Sequence, residues 1–317
     1  PLLGGNLGGI ETVSLLPAIT PDRWVVLELG NFILEGLHTV RRSPHLAVFT
    51  NLLPDHLNAY DSMEDYGAAK TSVFAYQRAE DIAVFNADND YTVRYASEAP
   101  DARTWLYSPS QGTAWLRDDA SKTRPFVYEE DIRLRGAHNR GNVQAATLAA
   151  ALIGVPKRTI AAAVRSFRGV PHRLEVVRVL EGVTYVNDSA STAPMAGVAA
   201  LASFTEPVVL IAGGNSKQLD FAEYAEAAAS RAKRVILLKG NASGAFADSV
   251  RAFAATLGRP DPVSDPYDDL AHALDAARAA AEPGDVALLS PGFTSFGMFL
   301  NEFDRGDRFR ALVGELK

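Results

Sequence analysis

A short apolar run, LAVFT (46–50), ends at Thr50-Asn51 and hands over to Pro54, Asp55 and His56 before a helical pattern begins. That stretch, from Phe49 to Phe74, constrains the fold more than any other. The run reads as a buried strand, residues 51–55 as the loop at its C-terminal end, and 66–76 as an amphipathic helix. Open α/β sheets carry their chemistry at the C-terminal ends of their strands, so Asp55 and His56 stand where functional groups are expected. Lys70 lies on the following helix between Ala68, Ala69 and Thr71. Alone it reads as a surface lysine that snorkels; the strand-end histidine before it makes it a candidate site residue.

The second half repeats the strand-to-loop pattern. Apolar strands are expected at 183–187, 207–212, 234–238 and 285–290 with helices between, which predicts a second open parallel sheet. Its strand-end loops are NDSAST (187–192), AGGNSKQLDF (212–221) and SPGFTSFGMF (290–299), and none carries the G-x-G-x-x-G dinucleotide fingerprint. Between the halves, SFRGVPHRLEVV places Gly169 and Pro171 after a helix at 156–167 and before a strand, the composition of a linker. Two domains are therefore expected, 1–169 and 170–317.

Composition narrows the partners. With 317 residues the chain is long enough for two buried cores, and 47% apolar with 22% charged residues is ordinary for a globular protein. A formal charge of -7 and a pI near 5.4 argue against nucleic acid. No apolar run reaches bilayer-spanning length and no signal-peptide pattern opens the chain. The absence of cysteine fits a reducing cytosol and excludes disulfides and thiolate metal sites in any compartment.

Four other stretches carry candidates. Asn6 sits among Gly4, Gly5, Gly8 and Gly9, which permit a close approach of ligand to backbone. WVVLELGNFILEG (24–36) reads as a buried strand ending at Glu28, a carboxylate costly to desolvate unless paired or metal-bound. DIAVFNADND (81–90) ends in Asn86, Asp88 and Asp90, either turn chemistry or a ligand site. The alanine-rich helix expected within 134–155 carries His138, Asn139 and Asn142 early, with the asparagines three apart on one face, a pattern for capping or ligand contact.

TNLLPDHL (50–57) and YGAAKTSVF (66–74) resemble the paired motifs of the Mur ligases, ATP-dependent amide-forming enzymes of peptidoglycan precursor synthesis, and Gly136 to Asn142 is similar to their G-x-H-N-x-x-N motif. The resemblance implies the remainder of a P-loop-type central α/β domain followed by a Rossmann-like parallel-sheet C-terminal domain, with ATP and Mg²⁺ as cofactors. It implies that Lys70 is an anionic carbamate, formed from a neutral amine, which with Glu28 and His56 gives the cation the donors it prefers. It further implies catalytic roles for Lys70, His56 and Arg173, nucleotide contacts from Asn139, Asn142, Arg173 and Asp188, and a contact from Asn6 to a nucleotide-linked muramoyl substrate. Arg173, just after the linker, resembles an arginine finger acting in cis.

GGNSK with Lys217 and SPGFTSF with Ser295 place the chain with the D-glutamate-adding members, and the Asp-Asn-Pro-Arg motif of the diaminopimelate-adding ones is absent. The implied partners are UDP-N-acetylmuramoyl-L-alanine and D-glutamate, the latter held by Thr192, Lys217, Ser295 and Phe296, with Ser295 and Phe296 opening the last helix. Another Mur ligase, folylpolyglutamate synthase and a non-catalytic binding module are the alternatives. The chain departs from the family at Gly30-Asn31, where two serines are common, and at Ala190 and Ala193, where lysine and asparagine are. It opens at Pro1 and holds no G-x-x-x-x-G-K-[ST] loop, so a fragment inactive alone is expected, from a monomeric cytoplasmic protein without membrane or nucleic-acid partners.

Overall fold

The computed structural model describes residues 1–6, 12–54, 59–99, 102–125 and 131–317; Asp55 and His56 lie outside them. The chain divides into two compact units, 1–130 with 141–162 and 131–140 with 163–317.

In the first unit β1 (Leu2–Gly5) and β2 (Val25–Glu28) pair in parallel, Leu2 opposite Val25 and Gly5 opposite Glu28, with a 3₁₀ helix (Thr12–Ala18) between them in sequence. After α1 (Asn31–Val40) come β3 (Leu46–Phe49), α2 (Met63–Thr71), β4 (Ile82–Asn86), α3 (Asp90–Glu98), β5 (Arg103–Ser108), β6 (Thr113–Leu116) and β7 (Asp119–Pro125). The last five strands form one sheet in chain order, β3 to β5 parallel and β6 and β7 antiparallel. Side chains alternate across it. Ala83 and Phe85 face a core with Phe49, Phe74 and Tyr95, while Ile82 and Val84 face Trp105, Tyr107, Ala145 and Leu148.

Two expectations fail here. The strand ending at Glu28 is not buried: Val26, Leu27 and Glu28 are all exposed. The β1–β2 pair has two strands only, and the described residues put Leu15 of the 3₁₀ helix against Gly4 while leaving Leu3 and Val26 open. The helix expected at 66–76 runs instead from Met63 to Thr71. Ser62 caps it by accepting from the Asp65 N–H at 3.1 Å. Past Thr71, Ser72 Oγ donates to the Leu34 carbonyl and Ser43 Oγ accepts from the Tyr76 N–H, so side chains draw this backbone out of the helix.

α4 (Ala137–Leu152) and α5 (Lys157–Ser166) each have residues in both units, and the second unit then runs through β8 (Glu175–Leu180), β9 (Val183–Asn187), α6 (Pro194–Ala202), β10 (Val208–Ala212), α7 (Ala222–Arg231) and β11 (Ala232–Leu238). It closes with α8 (Ser243–Thr256), β12 (Val263–Tyr267), α9 (Leu270–Ala280), β13 (Val286–Leu289) and α10 (Glu302–Glu315). The sheet order is β12-β11-β10-β13-β9-β8, all parallel except the edge strand β8. Val208, Leu210 and Ala212 pack on α6, α7 and α8, and Val209 and Ile211 pack on α9 and α10. The expected parallel sheet is present, covered on both faces as such sheets require.

The chain steps outward from β10 to β12 and then returns to lay β13 between β10 and β9. That return brings the loops after β9, β10 and β13 to neighbouring strand ends, where a doubly wound sheet binds ligands. The loop after β10 passes through Gly213 and Gly214 at φ +113° and +142°, and a Cβ on Gly214 would stand 2.3 Å from the Thr294 carbonyl oxygen. Gly214→Ala is therefore expected to destabilise the protein by more than about 2 kcal/mol in urea unfolding. A loss under about 0.5 kcal/mol would show that the turn does not need this backbone.

Candidate functional site

The strand-end loops of the second sheet are bound together by polar groups from distant parts of the chain. Asp188, 5% exposed, accepts from the Leu174 N–H at 3.0 Å through one oxygen, and from Ser191 Oγ at 2.5 Å and Ser290 Oγ at 2.8 Å through the other. Burial raises its pKa to about 6 against the pull of these hydrogen bonds and of the Arg173 charge. Asn215 zips the β10 loop to the β13 loop. Its N–H donates to Thr294 O, its carbonyl accepts from Thr294 N, and Nδ2 donates to Phe296 O at 2.5 Å. Asn215 Oδ1 accepts from Asn241 N, and Asn241 Oδ1 accepts from Ser216 N, each at 2.8 Å.

Lys217 and Thr192 meet on this platform: Lys217 Nζ donates to Thr192 Oγ1 at 3.3 Å. Both line a crevice with Pro194, Leu219, Gly292 and Phe293. The ammonium is half-buried at the end of β10, where it can act as a point charge on a carboxylate. Ser295 is buried and Phe296 is 62% exposed, but neither opens a helix. The last helix starts at Glu302, capped by Asn301, because Gly292 and Gly297 at φ +71° and +102° hold the intervening segment out of helix. The helix dipole expected at Ser295 is thus absent, and the donors there are a hydroxyl and turn N–H groups.

Arg173 is exposed on the segment before β8, beside the backbone that Asp188 holds. Partial desolvation and then the Arg173 charge keep the His138 pKa below the usual histidine range. Asn139 and Asn142 lie in the first turns of α4, Asn139 half-buried with Nδ2 donating to Arg135 O at 2.8 Å, and Asn142 exposed.

In the first unit Asn6 is exposed, its N–H donating to Glu28 O at 2.7 Å. Gly30 caps α1 without a side-chain bond, and Asn31 turns inward, Nδ2 donating to Tyr60 Oη at 2.7 Å. Lys70 lies in the last turn of α2, half-buried, with Nζ 4.8 Å from the Tyr66 ring centroid. No cluster of three or more His, Cys, Asp or Glu side chains able to hold a metal occurs among the described residues. A lysine ammonium repels a cation, so Lys70 could serve a Mg²⁺ site only as a carbamate.

The residues at 86–90 resolve to turn chemistry. Asn86 Nδ2 donates to Asn51 Oδ1 at 2.9 Å, Asp88 accepts from Ser108 Oγ and Ser110 N at 2.7 Å each, and Asp90 lies in the first turn of α3. Asn86 thereby ties the loop after β3 to the end of β4. Three residues that organise the second-unit site gave little sign of it in sequence: Asn215, Glu175 and Arg305. Arg305, 1% exposed, donates to Ser189 Oγ at 2.9 Å, Ser189 O at 2.8 Å and Phe293 O at 3.4 Å, and burial lowers its pKa to about 10. An asparagine inside a glycine turn was the available signal for Asn215.

Residues 16–150 match the Mur ligase middle domain and residues 172–293 match the Mur ligase glutamate ligase domain. The chain belongs to the Mur ligase family. It is 42% identical to the UDP-N-acetylmuramoylalanine–D-glutamate ligase of Roseiflexus sp. (strain RS-1) and 38% identical to that of Symbiobacterium thermophilum, over 98% and 99% of this chain and 69% of each relative. In fold it is similar to the MurF ligase of Thermotoga maritima in complex with ADP, with a TM-score of 0.64 at 19% identity over 98% of this chain and 73% of that one. Escherichia coli FolC in complex with DHPP and ADP gives 0.61 at 20% identity, over 92% of this chain and 66% of that one.

The buried Asp188 makes stability depend on pH. Its folded pKa, about 6, lies above the ordinary aspartate value of 3.8, so its contribution is complete below about pH 4 and is lost as pH rises through 6. Asp188→Asn keeps an oxygen for the Leu174 N–H and removes the charge. The mutant is expected to match the parent near pH 4 and to exceed it by about 3 kcal/mol by pH 7.5 in urea unfolding. A difference that stays flat across this range would contradict a costly buried carboxylate.

Proposed function

We propose that this chain carries the nucleotide-binding and amino-acid-binding parts of an ATP-dependent ligase that joins D-glutamate to UDP-N-acetylmuramoyl-L-alanine in peptidoglycan precursor synthesis. The observation that carries the reading is the Lys217–Thr192 pair in the strand-end crevice, within a region matching the family's glutamate ligase domain. Relatives named for this reaction, similar over 98% of the chain or more, support it. In the proposal residues 1–169 form the ATP-binding domain and 170–317 the amino-acid domain.

The reaction has ATP phosphorylate the alanyl carboxylate, after which the amine of D-glutamate displaces phosphate from the acyl phosphate. D-glutamate brings two carboxylates and must keep its amine free. Lys217 offers a cation to one acid, Thr192 and Ser295 offer hydroxyls, and the backbone at Phe296 completes the pocket. Asn139 and Asn142 contact the nucleotide, Arg173 contacts its phosphates, Asp188 serves the nucleotide side of the site, and Asn6 contacts the muramoyl substrate. Glu28, His56 and carbamylated Lys70 would hold Mg²⁺, which when bound neutralises phosphate charge. The proposal includes a cytoplasmic location and a monomer.

Two measurements on the full-length protein test it. Lys217→Ala is expected to raise the KM for D-glutamate by roughly thirtyfold, about 2 kcal/mol, and that for ATP far less. An unchanged D-glutamate KM in a folded mutant would sink the pocket assignment. Lys70→Ala is expected to abolish turnover, with part of it restored by an added short carboxylic acid; a fully active mutant would return Lys70 to the surface.

A further inference from the structure

We infer that Glu175 is a positioning residue for Arg173, holding the turn around it in the backbone conformation that presents the guanidinium to the nucleotide phosphates. The inference rests on the reading of Arg173 given above. Both neighbours of Arg173 are non-glycine residues in the left-handed region, His172 at φ +64° and Leu174 at φ +44°. Such backbone persists only where its surroundings over-determine it.

Here they do so from both sides. The His172 N–H donates to Glu175 Oε2 at 2.9 Å, and the Leu174 N–H donates to Asp188 Oδ1 at 3.0 Å. The His172 carbonyl accepts from Ala190 N at 3.0 Å, and the Arg173 N–H donates to Val170 O at 3.2 Å.

The imidazole is wedged as firmly as the backbone. His172 is 6% exposed, and a Cβ on Gly306 would stand 2.1 Å from its Nδ1. Asn187 Nδ2, which also donates to Gly306 O, lies 3.0 Å from that Nδ1, so Nδ1 accepts and the ring proton sits on Nε2. Burial and then Arg310 hold the ring's pKa down, which keeps it neutral. Arg310 NH2 reaches Glu175 Oε2 at 3.0 Å. Burial pushes Glu175 up, but the bonds from Arg310 and from the His172 N–H outweigh it, so the clamp is a carboxylate. Of the three turn residues, His172 is buried, Leu174 half-buried and Arg173 exposed. The turn thus spends strain and four hydrogen bonds on a backbone that offers one cation to a ligand.

Asp188 also grips Ser191 and Ser290 of the amino-acid loops, so Glu175 is the cleaner handle. In the full-length protein Glu175→Ala is expected to raise the KM for ATP about tenfold and leave that for D-glutamate within twofold. In an Arg173→Ala background it adds nothing further. Glu175→Gln, which keeps an oxygen for the His172 N–H, retains the ATP KM within about threefold. A further tenfold loss in the double variant, a parallel rise in the D-glutamate KM, or a Gln variant as impaired as Arg173→Ala overturns the inference; the last holds even if the alanine variant does not fold. An Arg173→Ala protein with native ATP KM overturns the reading of Arg173 as well, whereas additive losses overturn the positioning role alone.

Discussion

One buried carboxylate holds together the strand-end loops of the second sheet. Asp188 binds the backbone before β8, the loop after β9 and the first residue after β13, three segments separated by up to 116 positions between Leu174 and Ser290. Its charge is costly where it sits, as its raised pKa shows. The cost is offset by three donors, each of which belongs to a different piece of the site, so the interaction specifies geometry more than it adds stability. Arg305 repeats the device from α10, tying Ser189 to Phe293 from inside the core.

These clamps rest on a sheet that is buried on both faces. Every residue of β10 and β13 is buried, and helices cover both faces. The strand ends are therefore fixed in space, and the loops can use glycine freely without losing their positions. Tyr224 shows the coupling: its ring packs on Phe246 in the α7–α8 layer and its hydroxyl donates to Ser290 O, beside the Asp188 contact.

The sequence made the interior strands legible and the exposed or polar ones less so. LAVF, IAVFN, VVLIA and VALL are continuous apolar runs because both of their sides are covered, or nearly so. β12, which reads VSDPY and carries Pro266, is an edge strand whose polar pattern looks like a loop. WVVLE is as apolar as an interior strand, yet β2 lies in a two-stranded sheet with three of its four residues exposed. Local pattern reports what a strand could bury, not what covers it. The last helix starts later than Ser295 for a related reason: the glycines at 292 and 297 and the Asn301 cap decide the boundary. Lys217 and Thr192 were legible as strand-end polar groups, while Glu175 and Arg305 resembled ordinary charged residues until the fold turned them inward.

The way the second unit offers its cations follows from these constraints. Residue 190 is an alanine and no helix begins at Ser295, so neither position gives positive potential to the strand ends. Arg173 and Lys217 are half-buried or exposed, and each projects from backbone fixed in a positive-φ turn: His172 and Leu174 flank the one, and Gln218 at φ +61° with Gly213 and Gly214 flank the other. Long side chains lose much entropy when they are ordered. A rigid base limits that loss to the side chain itself, because the backbone is already ordered by Glu175 and Asp188 on one side and by Asn215 on the other. Preorganised backbone under each cation suits the anionic groups of the proposed reading, the nucleotide phosphates for Arg173 and a D-glutamate carboxylate for Lys217, because the charge is held in place before the ligand arrives.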